Sequence, residues 1–171
     1  MITELPAHRT SDPWREIMPA KNRIDHFTWL VEPENLPRYV KQMSELFETT
    51  FDEVVNESAG VRALISWDAG LEFAAPYGGL PAADALRAVL AERGEGPFAV
   101  VVGVPSIDAS SERAAALGWP VDRQLLELEA GVSSTTKVTS AREWVIGSFL
   151  NISLLFGEIE YADVEDATTR P

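Results

Sequence analysis

The chain has 171 residues, 46% of them hydrophobic and 24% charged, which suits one packed core and lies far from the composition of disordered chains. Its 14 Lys and Arg against 27 Asp and Glu give a formal net charge of −13, and no stretch interleaves basic residues with aromatics. Neither nucleic acid nor an anionic membrane surface is an expected partner, and the absence of cysteine excludes disulfides, thiolate metal sites and a cysteine nucleophile.

Residues 1–22 carry Pro6, Pro13 and Pro19 without periodicity and read as an arm able to pack through Trp14 and Ile17. They contain no apolar stretch of signal-peptide length, so a cytoplasmic location is expected. From Ile24 to Val31 the chain alternates. Phe27, Trp29 and Val31 fall on one face of a strand and His26, Thr28 and Leu30 on the other. Pro33 and Asn35 end it. Leu36, Tyr39, Val40, Met43, Leu46 and Phe47 then recur at helical spacing.

Strands follow at Phe51 to Val55, Val61 to Trp67 and Leu71 to Ala75, the last two joined by the turn Asp68-Ala69-Gly70. Pro81 to Arg93 reads as a linking helix, with proline at its start and Gly94 past its end. The order then repeats: strand Phe98 to Val104, helix Ser106 to Leu117 capped by Ser106, and strands Gln124 to Leu128, Glu143 to Phe149 and Ile152 to Tyr161. Gly131 to Ser140 is expected to be the longest loop. Ala162 to Pro171 is expected to be a disordered acidic tail.

Two tandem βαβββ units, the first opened by Ile24-Asp25-His26, resemble the vicinal oxygen chelate superfamily (glyoxalases, bleomycin-resistance proteins and dioxygenases) over about Arg23 to Tyr161. The resemblance implies an α+β fold: tandem βαβββ modules forming a cupped mixed sheet with flanking helices. The expected division is an arm at 1–22, one domain at 23–161 and a tail at 162–171. Within the domain, modules at 23–79 and 96–161 flank a linking helix at 80–95. It also implies a divalent metal in the cup, held by a His on an opening strand, a Glu on a closing strand and further ligands from the other module. His26 matches the first ligand and Glu72, in Gly70-Leu71-Glu72-Phe73, matches the second. Both lie on the face opposite the aromatic stripe.

In the second half, aligning Phe98 with His26 and Ser153 with Glu72 leaves two ligand positions without donors. Glu158 is a reserve only if that alignment slips. One His and one Glu fall short of the three protein ligands of a catalytic zinc site or the two-His-one-carboxylate iron site. A cofactor is therefore not expected; a divalent metal, if one binds, would use His26 and Glu72.

Three functions stay open. The first is metal-independent acid/base chemistry by His26 and Glu72 beside a carbonyl group, of isomerase, epimerase, cyclase or lyase type. Thr28, Phe98 and Ser153 would line the substrate site and Asp68 would assist. The second is sequestration of an apolar or cationic small molecule, as in the bleomycin-resistance branch, using some of the five tryptophans. The third is a metal enzyme completed by an unidentified third ligand. An apolar small molecule is the expected partner throughout, and the superfamily's habit of pairing modules within or between chains leaves a homodimer open.

Overall fold

The computed structural model describes residues 22–121, 123–128 and 137–162. The predicted arm and tail lie almost wholly outside them. The elements run β1 (Arg23–Leu30), α1 (Leu36–Phe47), β2 (Asp52–Asn56), β3 (Val61–Ser66), β4 (Leu71–Pro76), α2 (Pro81–Arg93), β5 (Gly96–Gly103), α3 (Ile107–Ala116), β6 (Arg123–Leu128), β7 (Val138–Phe149) and β8 (Ile152–Tyr161). All eight strands join one curved mixed sheet in the order β2-β3-β4-β1-β5-β8-β7-β6. The fold is α+β, as the resemblance implies.

The two βαβββ units meet at the centre of the sheet. β1 pairs parallel with β4, β5 pairs parallel with β8, and β1 and β5 join the halves antiparallel. Closure hydrogen bonds repeat across the units, from Val31 N–H to the Ala74 carbonyl and from Val104 N–H to the Gly157 carbonyl. They make Val31 equivalent to Val104 and Ala74 equivalent to Gly157.

On the outer face, α1 lies over Val31, Phe73 and Ala75, which form a buried cluster with Leu36. On the inner face, Ile65 and Trp67 from the first unit pack with Val138 and Ala141 from the second. The sheet therefore curls until its two edges meet. The Asn56 amide donates to the Leu125 carbonyl at 2.9 Å, joining the β2 and β6 edges, and Lys137 pairs with Asp68.

β7 begins at Val138, inside the segment expected to be loop and five residues before the predicted Glu143. The Ser/Thr-rich composition hid this extension. Its driving force is burial of Val138 and Ala141 against Ile65 and Trp67, a contact between residues more than seventy positions apart. The capped start of α3 is as predicted, with the Ser106 hydroxyl accepting from Ala109 N–H. Glu158 is turned to the same helix end, where Ile107 N–H donates to it at 2.7 Å. It caps α3 and is not spare for a site in the cup.

Gly60 fits the β2–β3 turn against the start of α2. Its φ is +67°, and a Cβ there would lie 2.2 Å from the Ala83 backbone nitrogen. Both left-handed strain and overlap with backbone oppose a side chain. Gly60→Ala is expected to cost at least about 2 kcal/mol, read as a fall in the urea midpoint. A loss below about 0.5 kcal/mol would show that α2 shifts freely away from the turn.

Candidate functional site

Strand alternation sends His26, Thr28 and Glu72 to the inner face, while Phe27, Trp29 and Phe73 go to the outer one. Thr28 and Glu72 are partners across the parallel β1–β4 pair, and the Thr28 hydroxyl donates to Glu72 Oε2. His26 is 2% exposed. Its Nε2 lies 3.5 Å from Glu72 Oε2 and 3.6 Å from Glu143 Oε1.

Two members of this cluster, Asp25 and Glu143, are absent from the sequence-based assignment. Adjacent strand residues normally point to opposite faces, so Asp25 reads as an outward neighbour of His26. The structure has a bulge here: Ile24 pairs with Val102 and His26 with Val101, leaving Asp25 without a partner on β5. The bulge turns the Asp25 carboxylate back to His26 Nδ1, at 3.0 Å. Asp25 also accepts the Tyr161 hydroxyl, at 2.8 and 2.9 Å from its two oxygens. Glu143 arrives from β7, three strands away in the sheet, because the sheet curls. Its one sequence signal is parity, since it shares the buried face of β7 with Ala141.

Phe98 and Ser153 are placed away from the expected positions. The Val31–Val104 and Ala74–Gly157 equivalences make Ala99 the counterpart of His26 and Leu155 the counterpart of Glu72. The half-to-half alignment is thus off by one residue at Phe98 and by two at Ser153. Phe98 occupies a second bulge, between the Thr28–Ala99 and Trp29–Pro97 pairs. There it packs on the cluster of Ala99, Val101 and Leu155. Ser153 pairs with Ala99, and Asp68 is held by Lys137 at the surface. Trp67 is buried with its ring edge-on to His26, centroids 6.0 Å apart, and acts as a wall of the site.

The three carboxylates divide by environment. Burial opposes charge on His26, but the hydrogen bonds to Asp25 and Glu72 and the charges of Glu143 and Glu72 outweigh it, so its basicity is pushed up to about 10. Burial likewise opposes ionisation of Asp25 and Glu72. Their hydrogen bonds, to His26 and Tyr161 for Asp25 and to His26 and Thr28 for Glu72, still hold both below the ordinary carboxylate range. Glu143 differs. Burial pushes it up to about 7, opposed by the charge of His26 and aided by those of Glu72 and Asp25. Carboxylates kept apart in this way are the usual mark of an acid/base site.

The second unit does not supply the further metal ligands that the superfamily resemblance implies. The counterparts of His26 and Glu72 in the second unit, Ala99 and Leu155, carry no donor atom. His26 faces carboxylates at both nitrogens, which favours its charged, donating form. Among the described residues no three His, Asp or Glu side chains are arranged to hold a metal ion.

No sequence-family model and no curated protein matches the chain. Solved structures do. Methylmalonyl-CoA epimerase from Mycobacterium tuberculosis matches with a TM-score of 0.57 and 18% identity over 79% of this chain and 86% of that one. A Streptomyces coelicolor methylmalonyl-CoA epimerase bound to 2-nitronate-propionyl-CoA matches with a TM-score of 0.58 and 20% identity, over 81% and 94%. A hypothetical protein from Bacillus halodurans matches at 0.53 and 16% identity, over 80% and 94%. These likenesses show a fold shared with methylmalonyl-CoA epimerases.

Proposed function

We propose that the protein is an acid/base enzyme that moves a proton at a carbon beside a carbonyl group, an isomerisation or epimerisation, on a small and largely apolar substrate held in the curled sheet. The observation that carries this reading is the unequal pair of carboxylates around His26. Glu143 sits near neutrality and can take or return a proton. Glu72 stays anionic and, with Asp25, keeps the imidazolium in place.

The Glu143 carboxylate takes the proton from carbon. The electron pair moves to the carbonyl oxygen, where the Nε2–H of His26 stabilises the enolate. Glu143 then delivers the proton to a neighbouring carbon, giving isomerisation, or, once the enolate has turned over in the cup, to the opposite face of the same carbon, giving epimerisation. The fold shared with epimerases supports this chemistry. The charge around the site points away from their substrate, since the groups converging on His26 are three carboxylates and offer an acidic acyl group no second cation. A neutral carbonyl compound suits the site better.

The test is hydrogen exchange in D2O, followed by mass spectrometry, on a panel of 2-substituted ketones, esters and thioesters that includes methylmalonyl-CoA. Deuterium is expected at the carbon beside the carbonyl of at least one compound, at a rate that falls at least ~100-fold in Glu143→Gln. Binding without exchange would make the protein a sequestering one. Titration with Zn²⁺, Mn²⁺, Fe²⁺ and Ni²⁺ is expected to leave thermal stability unchanged. Stoichiometric uptake abolished in both His26→Ala and Glu143→Gln would instead make these side chains ligands.

A further inference from the structure

The outer face of the first unit holds a cavity of about 390 Å³ between α1 and strands β1 and β4. It is separated from His26 by the sheet itself, because Trp29 and Phe73 point outward where Thr28 and Glu72 point inward. Four aromatic rings line it, Trp29, Tyr39, Phe47 and Phe73. Trp29 stacks on Phe73 with centroids 5.5 Å apart and planes at 26°, and Tyr39 stacks on Phe73 at 5.9 Å and 13°. Met43 and Phe47 of α1 complete the apolar lining. Leu36, Tyr39, Val40 and Met43 of the helix pack on the sheet, while Phe47 at its end remains 53% exposed.

One charged residue lines this cavity, Glu95, which is exposed at its mouth and feels the charge of Arg38, whose guanidinium lies over the Tyr39 ring at 4.6 Å. Its carboxylate is fixed by three donors: Glu32 N–H at 2.9 Å, the Asn35 amide at 3.0 Å and the Tyr39 hydroxyl at 2.7 Å. These bonds hold the anion in place. A volume of this size with mostly apolar walls and one oriented polar group is what small-molecule sites have. The outer surface of this aromatic stack suits a flat apolar guest, and a fixed carboxylate beside it favours a positive guest over a negative one. A cavity of about 310 Å³ under α3 in the second unit carries Arg113 and no carboxylate, so it does not share this selectivity.

We propose that the cavity between α1 and the outer face of β1 and β4 is a second ligand site, separate from the His26 cluster, that takes a planar aromatic cation with its charge towards Glu95. This site stands independently of the proposed acid/base function.

The experiment is fluorescence titration of the full-length protein with three probes of one shape: 9-aminoacridine, cationic at neutral pH, acridine, neutral, and acridine-9-carboxylate, anionic. One equivalent of 9-aminoacridine is expected to bind at least tenfold more tightly than acridine, with the carboxylate weakest. Glu95→Gln is expected to remove that preference, Met43→Trp to block binding by filling the cavity, and Glu143→Gln in the inner site to leave it unchanged. No binding by the full-length chain overturns the proposal, whatever else fills the cavity. So does equal affinity for the three probes, binding insensitive to Met43→Trp, binding that keeps its charge preference in Glu95→Gln, or binding lost in Glu143→Gln.

Discussion

Replacing His26 by alanine is expected to destabilise the protein by about 3–5 kcal/mol at neutral pH, the largest effect of any substitution in the inner site. The imidazolium is the one cation among Asp25, Glu72 and Glu143, with carboxylate oxygens 3.0, 3.5 and 3.6 Å from its ring nitrogens. Removing it leaves like charges facing one another with little water to screen them. The loss should shrink as the pH falls towards 4.5, because the stranded carboxylates can then bind protons and lose their repulsion. Urea denaturation of wild type and variant at several pH values measures both features. A loss below about 1 kcal/mol at pH 7 would mean that the cluster is solvated and that His26 does not neutralise it.

The second expected result is a stability maximum on the acid side of neutrality. Glu143 has its pKa raised from 4.5 to about 7, so the stability it lends is complete below pH 4.5 and is lost as the pH rises through about 7. His26 is raised from 6.5 to about 10, so its contribution is complete below pH 6.5 and is lost as the pH rises through about 10. Asp25 and Glu72, depressed below 3.8 and 4.5, act in the other direction. Their contribution is present above those values and is lost as the pH falls through the lowered ones. Together these place the maximum close to pH 4.5, where the gain from Asp25 and Glu72 is nearly complete and the loss from Glu143 begins. The decline by pH 9 amounts to a few kcal/mol, because each tenfold change in a buried group's proton affinity on folding is worth about 1.4 kcal/mol. Glu143→Gln should flatten the part of the fall between pH 4.5 and 7 while leaving the part due to His26. Thermal denaturation from pH 4 to 9 tests this, and a wild-type maximum above pH 8 would show that Glu143 stays ionised in the folded protein.

The inner site is built from both ends of the chain, which explains why only part of it is legible in the sequence. Strand period alone places His26, Thr28 and Glu72 on one face and Trp29 and Phe73 on the other, because alternation of side chains is a property of the strand backbone and needs no partner. The tandem βαβββ order is legible for a similar reason. Helical and strand periods, proline starts, glycine stops and the Ser106 cap are all local chemistry. These features determined the class of fold and the first half of the site.

Register, bulges and curvature belong to the tertiary structure. The Asp25 bulge exists only in the pairing of β1 with β5, and it overrides the alternation that would turn the Asp25 carboxylate away from His26. The counterparts of His26 and Glu72 in the second unit are set by the hydrogen bonds of Val31 and Val104, which no spacing of residue types encodes. Glu143 reaches His26 because Val138 and Ala141 bury against Ile65 and Trp67, drawing the two ends of one sheet together. The sequence by itself thus determined which side chains share a strand face. The curl of the sheet, driven by apolar burial between distant segments, decided which faces meet and which carboxylate is left near neutrality.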